Sequence, residues 1–149
     1  MRLIPFELHA APYLCHWFVD ADDVERVVGE RRYPVTPIDF LEWRQGATDC
    51  YLLVGDDGPV AYGEIRVDDA EDDLEIGHIL VAPDYRRHRA GGIMIASLVE
   101  AARRSYRFPE VWLRVTRGHD RDLSEALENG FVAHEPASGQ RFLWLRRNL

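Results

Sequence analysis

The stretch from Leu74 to Leu98, LEIGHILVAPDYRRHRAGGIMIASL, limits the possible folds more than any other part of the chain. An apolar run from Leu74 to Val81 reads as a strand and ends ahead of Pro83. A basic turn with small residues follows, Arg86-Arg87-His88-Arg89-Ala90-Gly91-Gly92, and an apolar helix starts directly after it. Small residues let the backbone approach a ligand closely, and a helix start presents N–H groups that lack intrahelical acceptors. With Arg86, Arg87 and Arg89 beside that helix start, the segment predicts a bound phosphate or pyrophosphate.

At 149 residues the chain has the size of one ordinary domain, so residues 1–149 are expected to fold as a single unit. Hydrophobic residues make up 46% and charged residues 30%, which places it among soluble globular proteins rather than disordered ones. No apolar run is long enough to cross a bilayer, and Met1-Arg2-Leu3-Ile4-Pro5 leads into no signal-peptide core. A cytoplasmic place with no membrane partner is expected. The formal net charge of −8 argues against nucleic acid as a partner. The run Asp68-Asp69-Ala70-Glu71-Asp72-Asp73 is either a solvated hairpin loop or a means of attracting a cationic amine. Cys15 and Cys50 lack CxxC spacing and read as reduced thiols, with a disulfide between them left open. The six histidines include no HExxH, so no metal is expected.

Periodicity sets the order of elements. Residues 1–8 alternate as a first strand. A helical pattern spans Pro12–Val28, and Asp20-Ala21-Asp22-Asp23 breaks it in two. Thr36-Pro37-Ile38-Asp39 is a helix start, with Thr as N-cap, Pro at N1 and Asp at N3; this helix stops near Gly46. Strands at Cys50–Val54, Val60–Val67 and Leu74–Val81 have short connections, which suits antiparallel hairpins. A helix over Gly91–Tyr106, a strand over Val111–Val115 and a helix over Arg121–Glu128 follow, the last ended by Asn129-Gly130. A hairpin from Phe131-Val132 to Arg141–Arg146 closes the chain. Strands joined both by hairpins and by helices predict an α/β fold with a mixed, mostly antiparallel central sheet flanked by helices. Alternation along 74–81 puts Glu75, Gly77, Ile79 and Val81 on one face and Leu74, Ile76, His78 and Leu80 on the other.

This order, together with the 74–98 block, resembles the GNAT superfamily of N-acetyltransferases over about residues 50–132, and more loosely over the N-terminal helices. The family's [Gln/Arg]-x-x-Gly-x-[Gly/Ala] signature reads here Arg87-His88-Arg89-Ala90-Gly91-Gly92. Ala90 stands where the family has its first glycine, which is tolerable if its φ is negative and unfavourable if it is positive. Glu75–Pro83 and Gly130-Phe131 sit where family members have similar residues. The resemblance implies acetyl-CoA as co-substrate. It implies that the amides from Arg87, His88, Arg89, Ala90, Gly91 and Gly92 to Ile93 take the pyrophosphate. Ile79, Leu80 and Val81 would bond the pantetheine arm and orient the acetyl carbonyl.

Acetyl transfer to an amine is direct attack on a thioester, so it needs positioning, a base for the ammonium and a proton for the leaving thiolate. Glu75 falls at the strand position where some family members place a catalytic glutamate and is the first candidate base. Glu64 and His78 are the others, and each also reads as an ordinary structural residue. The family tyrosine, four residues before the Gly-Phe pair, is replaced by Ala126. His119 occupies the place of a family asparagine and would either bond the pantetheine or act as the acid; Ser124, Tyr62, Tyr85 and Tyr106 carry other hydroxyls. Trp17, Phe18, Tyr33, Phe40 and Trp43, with Asp20, Asp22, Asp23 and Asp39 among them, form either helix cores or a site for an organic cation.

The expectation is an acetyl-CoA-dependent N-acetyltransferase acting on a small-molecule primary amine, with a protein N-terminus as an alternative acceptor. A non-catalytic acyl-CoA-binding or sensing domain is the main rival, and a nucleotide-phosphate site a third, without a Walker or GxGxxG pattern. Homodimer formation through an exposed edge is possible on this reading. All 18 basic residues are arginine, which suggests a GC-rich bacterial genome.

Overall fold

The computed structural model describes residues 1–149 throughout. Seven strands build one sheet: β1 (Arg2–Pro5), β2 (Asp49–Gly55), β3 (Gly58–Asp68), β4 (Asp73–Val81), β5 (Glu110–Thr116), β6 (Val132–Ala133) and β7 (Phe142–Asn148). Five helices accompany it: α1 (Ala11–Cys15), α2 (Ala21–Val28), α3 (Pro37–Trp43), α4 (Ala90–Ser105) and α5 (Asp120–Glu128). The strands lie in the order β1-β2-β3-β4-β5-β7-β6. Every pairing is antiparallel except β4–β5. Parallel neighbours require a crossover, and α4 supplies it. This is the mixed, mostly antiparallel sheet with flanking helices that the pattern predicts.

One face of the sheet packs against α4, whose Met94, Ile95, Leu98 and Val99 meet Ile65, Leu74, Ile76 and Leu113. Gly63 permits the close approach. A Cβ there would lie 2.8 Å from both Met94 Cε and Leu98 Cδ1. The opposite face is covered by α1, α2 and α3, through Leu14, Trp17, Phe18, Val24 and Phe40 on Leu52, Tyr62 and Leu80. Local chemistry fixes the ends of these short helices. Asp20 caps α2 by accepting from the Asp23 amide at 2.8 Å, and Gly29 at φ 85° ends it. Thr36 and Asp39 form a reciprocal capping box with Pro37 at N1, as the sequence predicts.

One expectation holds and one changes. The acidic run is the β3–β4 turn, in which Asp68 accepts from the Ala70 and Glu71 amides at 3.1 and 3.2 Å. It is the hairpin loop of the two readings, and it lies at the start of β4, six residues or about 20 Å from Ile79. The strict alternation along β4 fails. Glu64 pairs with Gly77 and Tyr62 with Leu80, so two residues, His78 and Ile79, oppose the single Gly63. This bulge, with His78 at φ 46°, shifts the phase by one. Leu74, Ile76, Ile79 and Val81 now face α4, while Leu80 joins the other core and His78 turns toward Glu64.

Cys15 and Cys50 are free thiols, and burial pushes the Cys15 thiol up to about 11. No helix is long and apolar enough to cross a membrane.

Candidate active site

β4 and β5 pair only at Glu75–Trp112 and Ile76–Leu113. Beyond these residues the strands part. Gly77, His78, Ile79 and Val81 form one wall of the resulting cleft and Leu113, Arg114 and Val115 the other. Its free volume is about 60 Å³, with Gly91 and Ile95 of α4 behind it and Arg26 of α2 and Asp122 and Glu125 of α5 at its edge. A neighbouring cavity of about 300 Å³ continues from Val81 and Arg86 toward His119 and Arg121.

The α4 start stands at the back of the cleft. Its first intrahelical bond runs from Ile93 N to Arg89 O at 3.0 Å, and the amides of Ala90, Gly91 and Gly92 have no acceptor within the chain. The Arg87 and Arg89 amides are likewise free, whereas the His88 amide donates to Tyr85 O at 3.0 Å. His88 and Ile93 therefore offer no backbone donor, contrary to the expectation of an unbroken set from 87 to 93. The substitution at Ala90 is harmless because the left-handed conformation falls one residue earlier, on Arg89 at φ 59°. Ala90 itself is helical and fully buried. Five free amides, two exposed arginine side chains (Arg87 and Arg89) and the positive end of a 16-residue helix suit a dianionic phosphate group.

Arg86 does not belong to that set. Its guanidinium donates to both Asp23 carboxylate oxygens at 3.0 and 2.8 Å, to Trp17 O at 2.6 Å and to Val81 O at 3.1 Å. Asp23 also holds Arg26 at 2.9 Å, and Arg26 reaches Asp122 at 3.2 Å. Arg86 thus braces α2 against the strand end, and its charge is spent on Asp23. A carboxylate meanwhile leans on the helix start: Glu125 Oε2 lies 2.2 Å from where a Gly91 Cβ would be, so a side chain there would have to displace the Glu125 carboxylate. Burial, and then the nearby Asp122, raise the Glu125 carboxyl above its ordinary value.

On the α2–α3 side of the sheet the three candidate bases separate. Glu64 is 1% exposed and fully engaged. It accepts from Tyr62 Oη at 2.8 Å and from Arg66 at 2.5 and 3.1 Å, and lies 2.9 Å from His78 Nδ1. Burial alone would raise its carboxyl, but the His78 hydrogen bond and charge, Arg66 and the Tyr62 hydroxyl outweigh burial and hold it below the ordinary range. His78 is therefore a polar partner of Glu64 rather than a packed apolar-face residue. Glu75 differs from both. Its half-buried carboxylate makes no hydrogen bond or ion pair, and Oε1 lies 3.5 Å from the Cβ position of Gly77, a residue of the cleft wall. Burial raises it above the ordinary carboxylate value against the opposing charges of Arg114, Arg66 and His78.

The remaining expectations divide. Leu80 is fully buried in the α1–α3 core, so only its backbone can serve a ligand; Ile79 and Val81 do line the cleft. His119 precedes α5 and lines the neighbouring cavity with Val81 and Arg86, away from the fork and from Glu75. Ala126 is buried in the α4-side core, and no tyrosine lines either cavity. Trp17, Phe18 and Phe40 are core residues, and all four aspartates of that region are occupied. Asp20 and Asp39 cap helices, Asp22 pairs with Arg31, Asp39 also with Arg32, and Asp23 holds Arg86 and Arg26. The sequence reading did not single out Arg114, Arg26 or Glu125. For Arg114 a signal existed, since Trp112 and Arg114 alternate with Val111, Leu113 and Val115 and so share the face opposite α4.

A forked parallel strand pair with a bulge on one arm and an open helix start behind it makes a groove that ends on free backbone donors, and the comparisons say which family is built this way. The family model described as Acetyltransferase (GNAT) family matches residues 8–131, and the chain belongs to this family. Solved structures share the fold at low identity. Ribosomal-protein-alanine N-acetyltransferase from Brucella melitensis is 17% identical with a TM-score of 0.76, covering 100% of both chains. AAC(6')-Ib in complex with parmomycin and acetyl-CoA is 15% identical with a TM-score of 0.78, over 98% of this chain and 92% of that one. A spermidine N-acetyltransferase SpeG chimera from Vibrio cholerae is 12% identical with a TM-score of 0.75, over 99% and 94%. No curated protein matches the sequence.

Proposed function

We propose that the chain is an N-acetyltransferase that moves acetyl from acetyl-CoA to the primary amine of a small molecule by direct attack in a ternary complex. The observation that carries this reading is the β4–β5 fork continuing into five free amides at the α4 start. The fork offers an extended arm a groove between two strands, and the helix start offers its pyrophosphate fixed donors. The relatives solved with acetyl-CoA and those named for small amines support the assignment.

In this account Arg87, Arg89, Ala90, Gly91 and Gly92 donate their amides to the pyrophosphate, and the β4 backbone from Ile79 to Val81 aligns the pantetheine arm. Glu75 takes the proton from the ammonium, directly or through one water. Its unpaired, partly desolvated carboxylate suits a base working near neutral pH better than Glu64, which is already saturated with donors. The neutral amine attacks the thioester carbon, the adduct nitrogen loses its second proton to solvent, the carbon–sulfur bond breaks, and the thiolate leaves as CoA. His119 contacts the cofactor arm rather than the sulfur. With alanine at 126, the thiolate takes its proton from solvent.

Ala126 favours one second reading, an acyl-CoA-binding domain that does not turn over. An assay of released thiol against a panel of primary amines separates the two. Amine-dependent thiol release is the expected result; tight acetyl-CoA binding with no release for any amine would favour the sensing role.

A further inference from the structure

The acceptor side of the cleft holds two opposite charges that the chain leaves unpaired. Two arginines line the cleft, Arg26 and Arg114. Arg26 is held by Asp23 and Asp122. Arg114 makes no hydrogen bond and no ion pair; its guanidinium stacks on the Phe142 ring at 4.2 Å and packs against Gly29, where a Cβ would lie 3.2 Å from Nη2. The other guanidiniums of this region are also spent. Arg66 serves Glu64 and Trp43 O, and Arg141 donates to Gly29 O. Two carboxylates near the cleft make no hydrogen bond or ion pair: Glu125 leans on the α4 start at Gly91, and Glu75 lies beside Gly77 on the Arg114 side. Glu75 pairs in register with Trp112, two residues before Arg114, so Glu75 and Arg114 share one face of the sheet about 7 Å apart along the strands. They are near enough to feel each other's charge and do not form an ion pair.

Resting on the acetyltransferase reading, we infer that the acceptor is a zwitterionic α-amino acid whose ammonium lies beside Glu75 and whose carboxylate is bound by Arg114. A ligand with an ammonium and a carboxylate on one carbon can meet two side chains that leave the same face of the sheet about 7 Å apart along the strands. A planar guanidinium already stacked on an aromatic ring is pre-set for bidentate carboxylate binding. A polycation gains nothing from Arg114 and meets repulsion there, and the aspartates that would attract it are occupied. A protein N-terminus has no free carboxylate at the required place. The step balances as one proton moved from the ammonium to Glu75, formation of the N–C bond, loss of the second N–H proton from the adduct to solvent, loss of the C–S bond, and protonation of the released thiolate by solvent.

The test is a thiol-release assay with the twenty common α-amino acids, their α-amides and spermidine, alongside calorimetric titration of the same preparation with acetyl-CoA. The expected result is at least one amino acid with a kcat/KM about a hundredfold above that of its amide, since the partly buried guanidinium is otherwise left unmatched. Arg114→Gln should raise KM for that amino acid about tenfold to a hundredfold with little change in kcat, and collapse its preference over the amide. Arg114→Lys should recover part of the preference, which guards against loss of Phe142 packing as the cause. Equal or better turnover of amides or spermidine, or an unaltered amino acid-to-amide ratio in a folded Arg114→Gln, overturns the proposal while acetyl-CoA binding persists. Failure of acetyl-CoA to bind would instead remove the underlying reading, and this one with it.

Discussion

Asp23 and Arg86, 63 residues apart in the chain, meet in a two-pronged ion pair, Nη1 to Oδ1 at 3.0 Å and Nη2 to Oδ2 at 2.8 Å. Asp23 is 6% exposed and also binds Arg26, whose other contact is Asp122 on α5. One carboxylate therefore ties α2 to the strand-to-helix turn and, through Arg26, to the far edge of the cleft. Removing a single partner from such a buried pair strands the remaining charge. Asp23→Asn should destabilise the fold by about 3 kcal/mol, read from urea denaturation. The sign of the pH effect follows from the lowered Asp23 carboxyl: burial opposes ionisation, but the Arg86 and Arg26 contacts outweigh it. The stabilisation is present above the ordinary carboxylate pKa and is lost as pH falls through the lowered one. The wild-type chain should thus lose more stability than Asp23→Asn on acidification, and parallel pH profiles would contradict this role.

Glu75 carries the proton in this account, so its replacement has a pH signature. Glu75→Gln should lower kcat/KM by about 10²-fold to 10⁴-fold at neutral pH. The deficit should shrink at high pH, where more of the amine arrives already neutral. Because burial raises the Glu75 carboxyl, the wild-type acidic limb should lie above the usual carboxylate range and be missing in the variant. Equal activity across the pH range would exclude Glu75 as the base.

Glu125 presses its carboxylate on the helix start that is to receive a pyrophosphate. The two anions repel, and burial with the nearby Asp122 already raises the Glu125 carboxyl above its ordinary value. Glu125→Gln should tighten CoA binding by several-fold, most at alkaline pH where the wild-type carboxylate is fully charged. Weaker binding would show that Glu125 assists the ligand instead.

Gly92 has room for a side chain, since a Cβ there would have Asn129 Nδ2 at 3.6 Å as its nearest neighbour. Gly92→Glu should therefore fold normally, an acidic residue in the first helical turn being favourable in itself. It should abolish CoA binding by placing bulk and negative charge among the free amides. Unchanged CoA affinity in the folded variant would move the pyrophosphate elsewhere.

Much of this architecture is legible in the sequence because its signals are local. The capping box at Thr36 and Asp39, the strand running into Pro83 and the small residues before α4 each sit within a few positions of one another. What the sequence hides is non-local. The bulge at His78 is fixed by Glu64 and Arg66 on the neighbouring strand, and no period along β4 announces it. Arg86 reads as a phosphate ligand until Asp23 is found beside it. Arg114 becomes significant only when the other arginines around it prove to be paired. Charge neutralisation between distant residues decides which side chains remain free for ligands, and pairing across 63 or 96 residues leaves no trace in composition or spacing.

The central claim is that the fork and the α4 start form an acyl-CoA site, and calorimetric titration of the pure protein with acetyl-CoA tests it most directly, with CoA and ATP as controls. The account predicts saturable binding of acetyl-CoA and CoA, weakened by Gly92→Glu, and no comparable binding of ATP. Absence of acetyl-CoA binding, or equal binding of ATP, would contradict it.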